Sequence, residues 1–225
     1  MKLSIIVPVL NEASGIAAAL QALAPLRARG HEVIVVDGGS HDGTPALAAS
    51  FADRVLQAPR GRARQMNAGA AIAGGDALLF LHADTRLPSD ADRLVAEALA
   101  RRRWGRFDVR IEGGPALLAV VAFFMNWRSR LSGIATGDQA MFARREAFES
   151  IGGFPDLPLM EDIELSARLK KHSPPACIAV RAVTSGRRWQ RCGVLRTILL
   201  MWRLRLAYFL GARPDELARR YAERG

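Results

Sequence analysis

The stretch Leu3-Ser4-Ile5-Ile6-Val7-Pro8-Val9-Leu10-Asn11-Glu12 decides the reading of this chain. It is a β-branched apolar run that stops at two polar residues. A strand without polar alternation is buried on both faces, as in a parallel sheet covered by helices. The same pattern returns downstream. Glu32–Val36 reads as a second strand and runs into Asp37-Gly38-Gly39-Ser40-His41-Asp42-Gly43-Thr44. Asp53–Gln57 is a short third strand. Ala77–Leu81 is a fourth and runs into His82-Ala83-Asp84-Thr85. Between them 12–23, 44–51, 63–72 and 89–101 read as helices, so strands and helices alternate.

Working outward, 106–111 and 139–144 are expected strands. The segments 115–127, 161–171 and 194–210 are expected helices, the first and last of them core helices. The predicted fold is α/β, a Rossmann-like, mostly parallel sheet flanked by helices. It forms one domain over 1–225, with a nucleotide-binding half at 1–110 and an acceptor-binding half at 111–225. The 225 residues suit one domain. Half of them are hydrophobic, which excludes a disordered chain.

Lys plus Arg is 32 against 22 Asp plus Glu, a net charge of +10. This suits a phosphorylated small molecule, anionic lipid or nucleic acid alike. Scattered arginines and only 7% aromatic residues give no stacking platform, so nucleic acid is not an expected partner. The two cysteines, Cys177 and Cys192, are too few for a zinc cluster or disulfide framework. With no leader-like or membrane-spanning stretch, a cytoplasmic setting is expected. Residues 194–210 carry Arg196, Arg203 and Arg205. Contact with the face of an anionic membrane is the alternative to burial there.

In open α/β sheets ligands bind at the carboxyl ends of the strands. The loops after the first, second and fourth strands should therefore meet. Asp37 can accept hydrogen bonds from a base or ribose, while Gly38 and Gly39 admit a close ligand. Asp42 fits better as a helix cap. Arg60-Gly61-Arg62, leading into a helix with Asn67, reads as a phosphate site. Asp84 is the expected ligand of a hard divalent cation, and His82 either a second ligand or a hydrogen-bonding residue.

The segments Ile5–Glu12, Val35–Ser40 and Leu79–Asp84 together resemble the family 2 glycosyltransferases, which have the GT-A fold. The resemblance implies a nucleotide-diphosphate sugar, UDP first, whose sugar passes to a hydroxyl acceptor with inversion. It implies a divalent metal, Mn²⁺ or Mg²⁺, at the strand-four tip, where His82 replaces the first Asp of Asp-x-Asp. Pro8, Asn11, Glu12, Asp37, Gly38, Gly39, Arg62, Asn67, His82 and Arg188 are then the donor side. Met160-Glu161-Asp162 looks like the Glu-Asp motif whose Asp is the catalytic base, with Glu161 raising its pKa. Gly137, Asp138 and Gln139 look like acceptor-side residues. Arg187-Arg188-Trp189 is similar to the family's Arg-Trp element, with Trp189 on the acceptor side. His-Ala-Asp-Thr-Arg-Leu-Pro, Gly-Asp-Gln-Ala-Met-Phe and Pro-Leu-Met-Glu-Asp resemble a compact bacterial subgroup labelled radical-SAM or selenodomain-associated transferase, or arsenosugar-biosynthesis glycosyltransferase. A nucleotidyltransferase is the alternative, but the first loop lacks a Gly-rich, Lys-bearing phosphate cradle. A non-catalytic nucleotide-binding relative also stays open, because His82 replaces the Asp.

Overall fold

The computed structural model describes residues 1–224, with side-chain surroundings through Tyr221. Its centre is an eight-stranded sheet. In chain order the strands are β1 (Leu3–Val9), β2 (Glu32–Asp37), β3 (Arg54–Gln57), β4 (Ala77–Phe80), β5 (Thr85–Arg86), β6 (Trp104–Glu112), β7 (Phe142–Arg144) and β8 (Ala176–Ser185). The spatial order is β3-β2-β1-β4-β7-β6-β8-β5. β1 pairs in parallel with β2 and β4, and β2 with β3. β7 runs antiparallel to β4 and β6, and β5 antiparallel to β8. The sheet is therefore parallel in its first half and mixed in its second.

Continuous apolar strands are buried on both faces, as their composition requires. Ile5, Val7, Val33, Val35 and Leu79 pack with Ile16 and Leu20 of α1 (Ile16–Gln21) and with Val95 and Leu99 of α5 (Ala91–Arg101). Their alternate neighbours Ile6, Ile34, Val36, Leu78 and Phe80 pack with Ala63, Met66 and Ala70 of α4 (Arg62–Ile72). Gly69 lets α4 lie close to the strands. A Cβ there would come within 2.6 Å of Ile6 Cγ2. The remaining helices of the first half are α2 (Ala24–Ala28) and α3 (Thr44–Ala49).

The second half contains α6 (Leu117–Ser132), a 3₁₀ turn (Gly137–Gln139), α7 (Arg145–Ser150), α8 (Glu161–His172), α9 (Arg187–Cys192), α10 (Val194–Phe209) and α11 (Pro214–Arg224). Two expectations are corrected here. The strand expected over 139–144 is only Phe142–Arg144, because Gln139 closes the 3₁₀ turn by capping against Thr136. The 110/111 division between the halves falls inside β6, and the sheet runs continuously through it. α6 and α10 are not core helices. α6 buries Leu118, Ala122, Asn126 and Ser129, while Phe123, Phe124, Trp127 and Leu131 are exposed.

Candidate active site

The loops after β1, β2 and β4 meet at one edge of the sheet. Asn11 adopts a left-handed φ of 53°. Its backbone N–H donates to Ser40 Oγ at 2.8 Å, and its side-chain Oδ1 accepts from His41 N at 3.0 Å. Glu12 N donates to Thr44 Oγ1 at 2.9 Å. Gln65 of α4 locks the strand ends from below, donating from Nε2 to Val9 O and Val36 O, each at 2.8 Å. Gly38 lies over this amide, where a Cβ would stand 3.0 Å from Gln65 Oε1.

Asp37 is 3% exposed and accepts from Gly39 N, Ser40 N and Ser40 Oγ. Three of its roughly four acceptor directions are used inside the loop. It shapes the loop first, and at most one direction is left for a base or ribose. Asp42 accepts from Thr44 N at 3.1 Å and Ala13 N at 2.9 Å, the structural role its sequence suggests, although the residue at the cap position is Gly43.

The acceptor side closes on these loops. Asp162, in the first turn of α8, accepts from Gly137 N at 3.0 Å through Oδ2. Asp138, next along the 3₁₀ turn, meets His82 Nδ1 at 3.2 Å through Oδ1. Arg62 pairs with Glu161 at 2.8 Å. Arg187 bridges Glu12 at 3.3 Å and Asp84 at 3.7 Å. The non-glycine residues with left-handed φ are Asn11, Ala140 and Met160, all in these loops. Backbone strain of about 1–3 kcal/mol each concentrates where side chains must be aimed.

The charges are unevenly matched. Burial raises the Glu161 pKa, and Asp162 adds to this while Arg62 opposes it. Glu161 Oε2 is buried without a partner. Burial lowers the His82 imidazole, but its hydrogen bond to Asp138 and the Asp138 charge outweigh this, and the pKa is raised. Asp138 is held low for the reciprocal reason, burial opposing and His82 prevailing. Arg128 of α6 is pushed down to about 10 by burial and by the neighbouring Arg205 of α10. Arg205 is lowered by burial, while Asp162 and Asp138 raise it. Arg128 Nη2, Arg205 Nε and Arg188 Nε and Nη2 are buried and unpartnered. Sequence reading missed Arg128, Arg205, Gln65 and Arg187. Arg128 and Arg205 lie in apolar runs, and only the helical fold turns them toward Asp162.

Several expected site residues have other work. Asn67 donates to Phe154 O at 2.8 Å and accepts from Phe154 N at 3.0 Å, so it ties α4 to the loop after α7. Gln139 is fully buried and bonded to Thr136 and Asn126, which leaves it no route to an acceptor. Trp189 is partly buried and packs against the cluster of Val109, Ile111, Leu118 and Ala122. Arg188 stacks on Tyr221, its guanidinium carbon 3.7 Å from the ring centroid. Arg187 is the member of the pair that reaches the strand-end loops.

A divalent metal fits part of the predicted set. Asp84 is half-exposed at the loop edge and has the hard oxygen such ions prefer. His82 does not fit. Its Nδ1 faces Asp138, and its Nε2 abuts Gly137, where a Cβ would lie 2.4 Å away. The described residues contain no group of three or more His, Cys, Asp or Glu able to enclose an ion. Asp84 together with phosphate oxygens and water is the donor set this edge can offer.

The sequence model described as Glycosyl transferase family 2 matches residues 4–152. The chain belongs to that family. The matched span contains β1 to β7 and every strand-end loop described above. Relatives include a succinoglycan biosynthesis protein, ExoA, of Rhizobium meliloti strain 1021. It is 34% identical over 74% of this chain and 57% of its own length. The β-monoglucosyldiacylglycerol synthase of Synechocystis sp. is 28% identical over 72% of this chain and 39% of its own length. The chain thus spans about two-fifths to three-fifths of these relatives. Neither carries the compact-subgroup label. Among solved structures, a mannosyltransferase from Pyrobaculum calidifontis, in complex with GDP-Man and Mn²⁺, superposes with a TM-score of 0.65 at 23% identity. The match covers 98% of this chain and 69% of that one. Staphylococcus aureus TarS with UDP-GlcNAc gives 0.66 at 18% identity over 82% and 58%. Both likenesses establish the GT-A fold.

Proposed function

We propose that this family 2 domain transfers a sugar from a nucleotide diphosphate, UDP first, to a hydroxyl acceptor, with inversion at the anomeric carbon. One observation carries the reading. The loops after β1, β2 and β4 converge with the α8 N-terminus, linked by the Arg187–Glu12, Arg187–Asp84, His82–Asp138 and Gly137–Asp162 contacts. The GDP-Man and Mn²⁺ complex of the Pyrobaculum relative and the UDP-GlcNAc complex of TarS support a metal-assisted nucleotide-sugar donor.

The nucleoside rests on the glycine loop shaped by Asp37, beside Pro8, Asn11 and Glu12. Asp84 would hold the divalent metal, which supplies positive charge to the leaving diphosphate. Arg187 and Arg62 add fixed guanidinium charge to the same end. This is electrostatic stabilisation in a partly dry site. Asp162 takes the acceptor proton. Its carboxylate is oriented by Gly137 N, and Asp138, fixed by His82, positions the acceptor. Glu161, beside Asp162, is paired with Arg62, which offsets its charge next to the base.

The test is release of nucleoside diphosphate from a panel of sugar nucleotides, with Mn²⁺ or Mg²⁺ present. Asp84→Ala is expected to lose release with either metal. Asp162→Asn is expected to keep donor binding and lose transfer. Full turnover by Asp162→Asn would remove it as the base. Proton NMR of the anomeric centre decides between inversion and retention.

A further inference from the structure

α6 and α10 face outward with their most apolar sides. On α6, Phe123 is 62% exposed, Phe124 57%, Trp127 52% and Leu131 68%, while the buried stripe includes Asn126 and Ser129. Those two inner groups are satisfied. Asn126 bonds Val109 through both N–H and C=O, and Ser129 accepts from Arg106. The polar side is thus held inward by hydrogen bonds, and the apolar side is left out. α10 buries Thr197, Leu200 and Leu204 and exposes Leu199, Trp202, Leu206 and Phe209. Val194 of α10 packs on the same small cluster as Val121 and Met125 of α6, and Arg205 perturbs Arg128, so the helices are neighbours. Large exposed apolar side chains on two adjoining helices mark an interaction site.

The charge on these helices identifies the occupant. Neither helix contains an Asp or Glu; Arg128 and Arg205 are turned inward and Arg130 pairs with Asp108, so the outward charge is Arg196 and Arg203 of α10. Arg196 and Arg203 are exposed and, with Leu199 and Leu200, line a groove of about 390 Å³ on α10. Guanidinium groups beside an apolar trough match a phosphate head with an acyl chain below it. Trp127 and Trp202 have the amphipathic rings that settle at a bilayer interface. No described helix is long and apolar enough to cross a membrane.

We propose that the α6–α10 face seats flat on an anionic lipid bilayer. The inner sides of the same helices carry Arg128 and Arg205 toward the cleft, so a seated bilayer lies about one helix diameter, roughly 10 Å, from Asp162.

The test is sedimentation of the full chain with phosphatidylcholine vesicles, with and without about one-third phosphatidylglycerol. No donor is present, so the outcome is separate from that of the transferase reading. Binding is expected only to the anionic vesicles and is lost at about 1 M salt, where the screening length falls to about 3 Å. Arg196→Ala with Arg203→Ala should weaken it about 25-fold, at about fivefold per arginine. Phe124→Ser with Trp202→Ser should weaken it more than about tenfold. All four side chains are exposed, so the melting temperature is expected to hold. Protein left in the supernatant with anionic vesicles overturns the proposal. So does binding that neither pair of substitutions changes. So does a dimer, seen by ultracentrifugation, that Phe124→Ser with Trp202→Ser dissolves while vesicles fail to bind, because a second copy would then cover the face.

Discussion

Replacing Gly137 by alanine puts a methyl group where the His82 ring lies. The new Cβ would stand 2.4 Å from Nε2 and 2.6 Å from Cε1. Carbon contacts are comfortable at about 3.5–4.0 Å, so the ring must withdraw by about 1 Å. Gly137 has no left-handed φ, so the backbone accepts alanine and the penalty is steric. The His82–Asp138 contact is already long at 3.2 Å and would not survive. Overpacking costs about 1–3 kcal/mol, and the lost hydrogen bond about 0.5–1.5 kcal/mol. A combined loss of about 1.5–4.5 kcal/mol lowers the melting temperature by about 3–18 °C in a domain of this size. The assay is a thermal melt of Gly137→Ala, His82→Ala and the double variant. His82→Ala makes room for the methyl group, so Gly137→Ala should cost less than about 0.5 kcal/mol in that background. Additive losses would refute the contact. Transfer activity should fall in Gly137→Ala as well, because Gly137 N orients Asp162.

Asp162→Asn should lower transfer by about 10²–10⁴-fold, the usual contribution of a general base, with the nucleotide affinity retained by calorimetry. Arg205→Met should raise stability by about 1 kcal/mol in a denaturant melt and slow transfer, because the guanidinium is desolvated and has a buried unpartnered Nε. Arg106→Met should cost about 3 kcal/mol in the same measurement, since fully buried Arg106 serves Ser129, Asp108 and the Asn126 carbonyl together. Asp92 is held well below the usual carboxylate range by its hydrogen bond to Arg29, aided by His31 and opposed by burial. A depressed pKa contributes stability above about pH 4 that is lost as pH falls through the folded value. Asp92→Asn should therefore melt lower than wild type at pH 7, with the gap closing in acid.

The parallel half was legible because β1, β2 and β4 are apolar on both faces, and only one layer arrangement buries such strands. The convergence of their loops followed from topology, and the Asn11–Ser40 and Arg187–Asp84 contacts realise it. β8 was missed because Ala176–Ser185 alternates weakly and includes Arg181. Its place beside β6 comes from pairing over Gly105–Glu112, a long-range choice. α6 and α10 were misjudged for a different reason. Helical spacing shows an apolar face but not which way it points. On α6 Arg106 and the β6 backbone claim the polar side, and the apolar side is turned out. Likewise Asn67, Gln139 and Trp189 are residue types found in sites and in scaffolds alike. Their partners here, Phe154, Asn126 and the β6–α6 cluster, make them scaffold.

The central claim is a nucleotide diphosphate held at the strand ends through a metal on Asp84. A thermal-shift comparison of UDP, GDP, CDP and dTDP, each with and without Mn²⁺, tests it most directly on wild type and Asp84→Ala. A ligand at about 100 times its dissociation constant adds roughly 2.7 kcal/mol, a rise of several degrees. The expected result is a Mn²⁺-dependent rise with one diphosphate, absent in Asp84→Ala. No rise with any of the four, or an equal rise in Asp84→Ala, would contradict it.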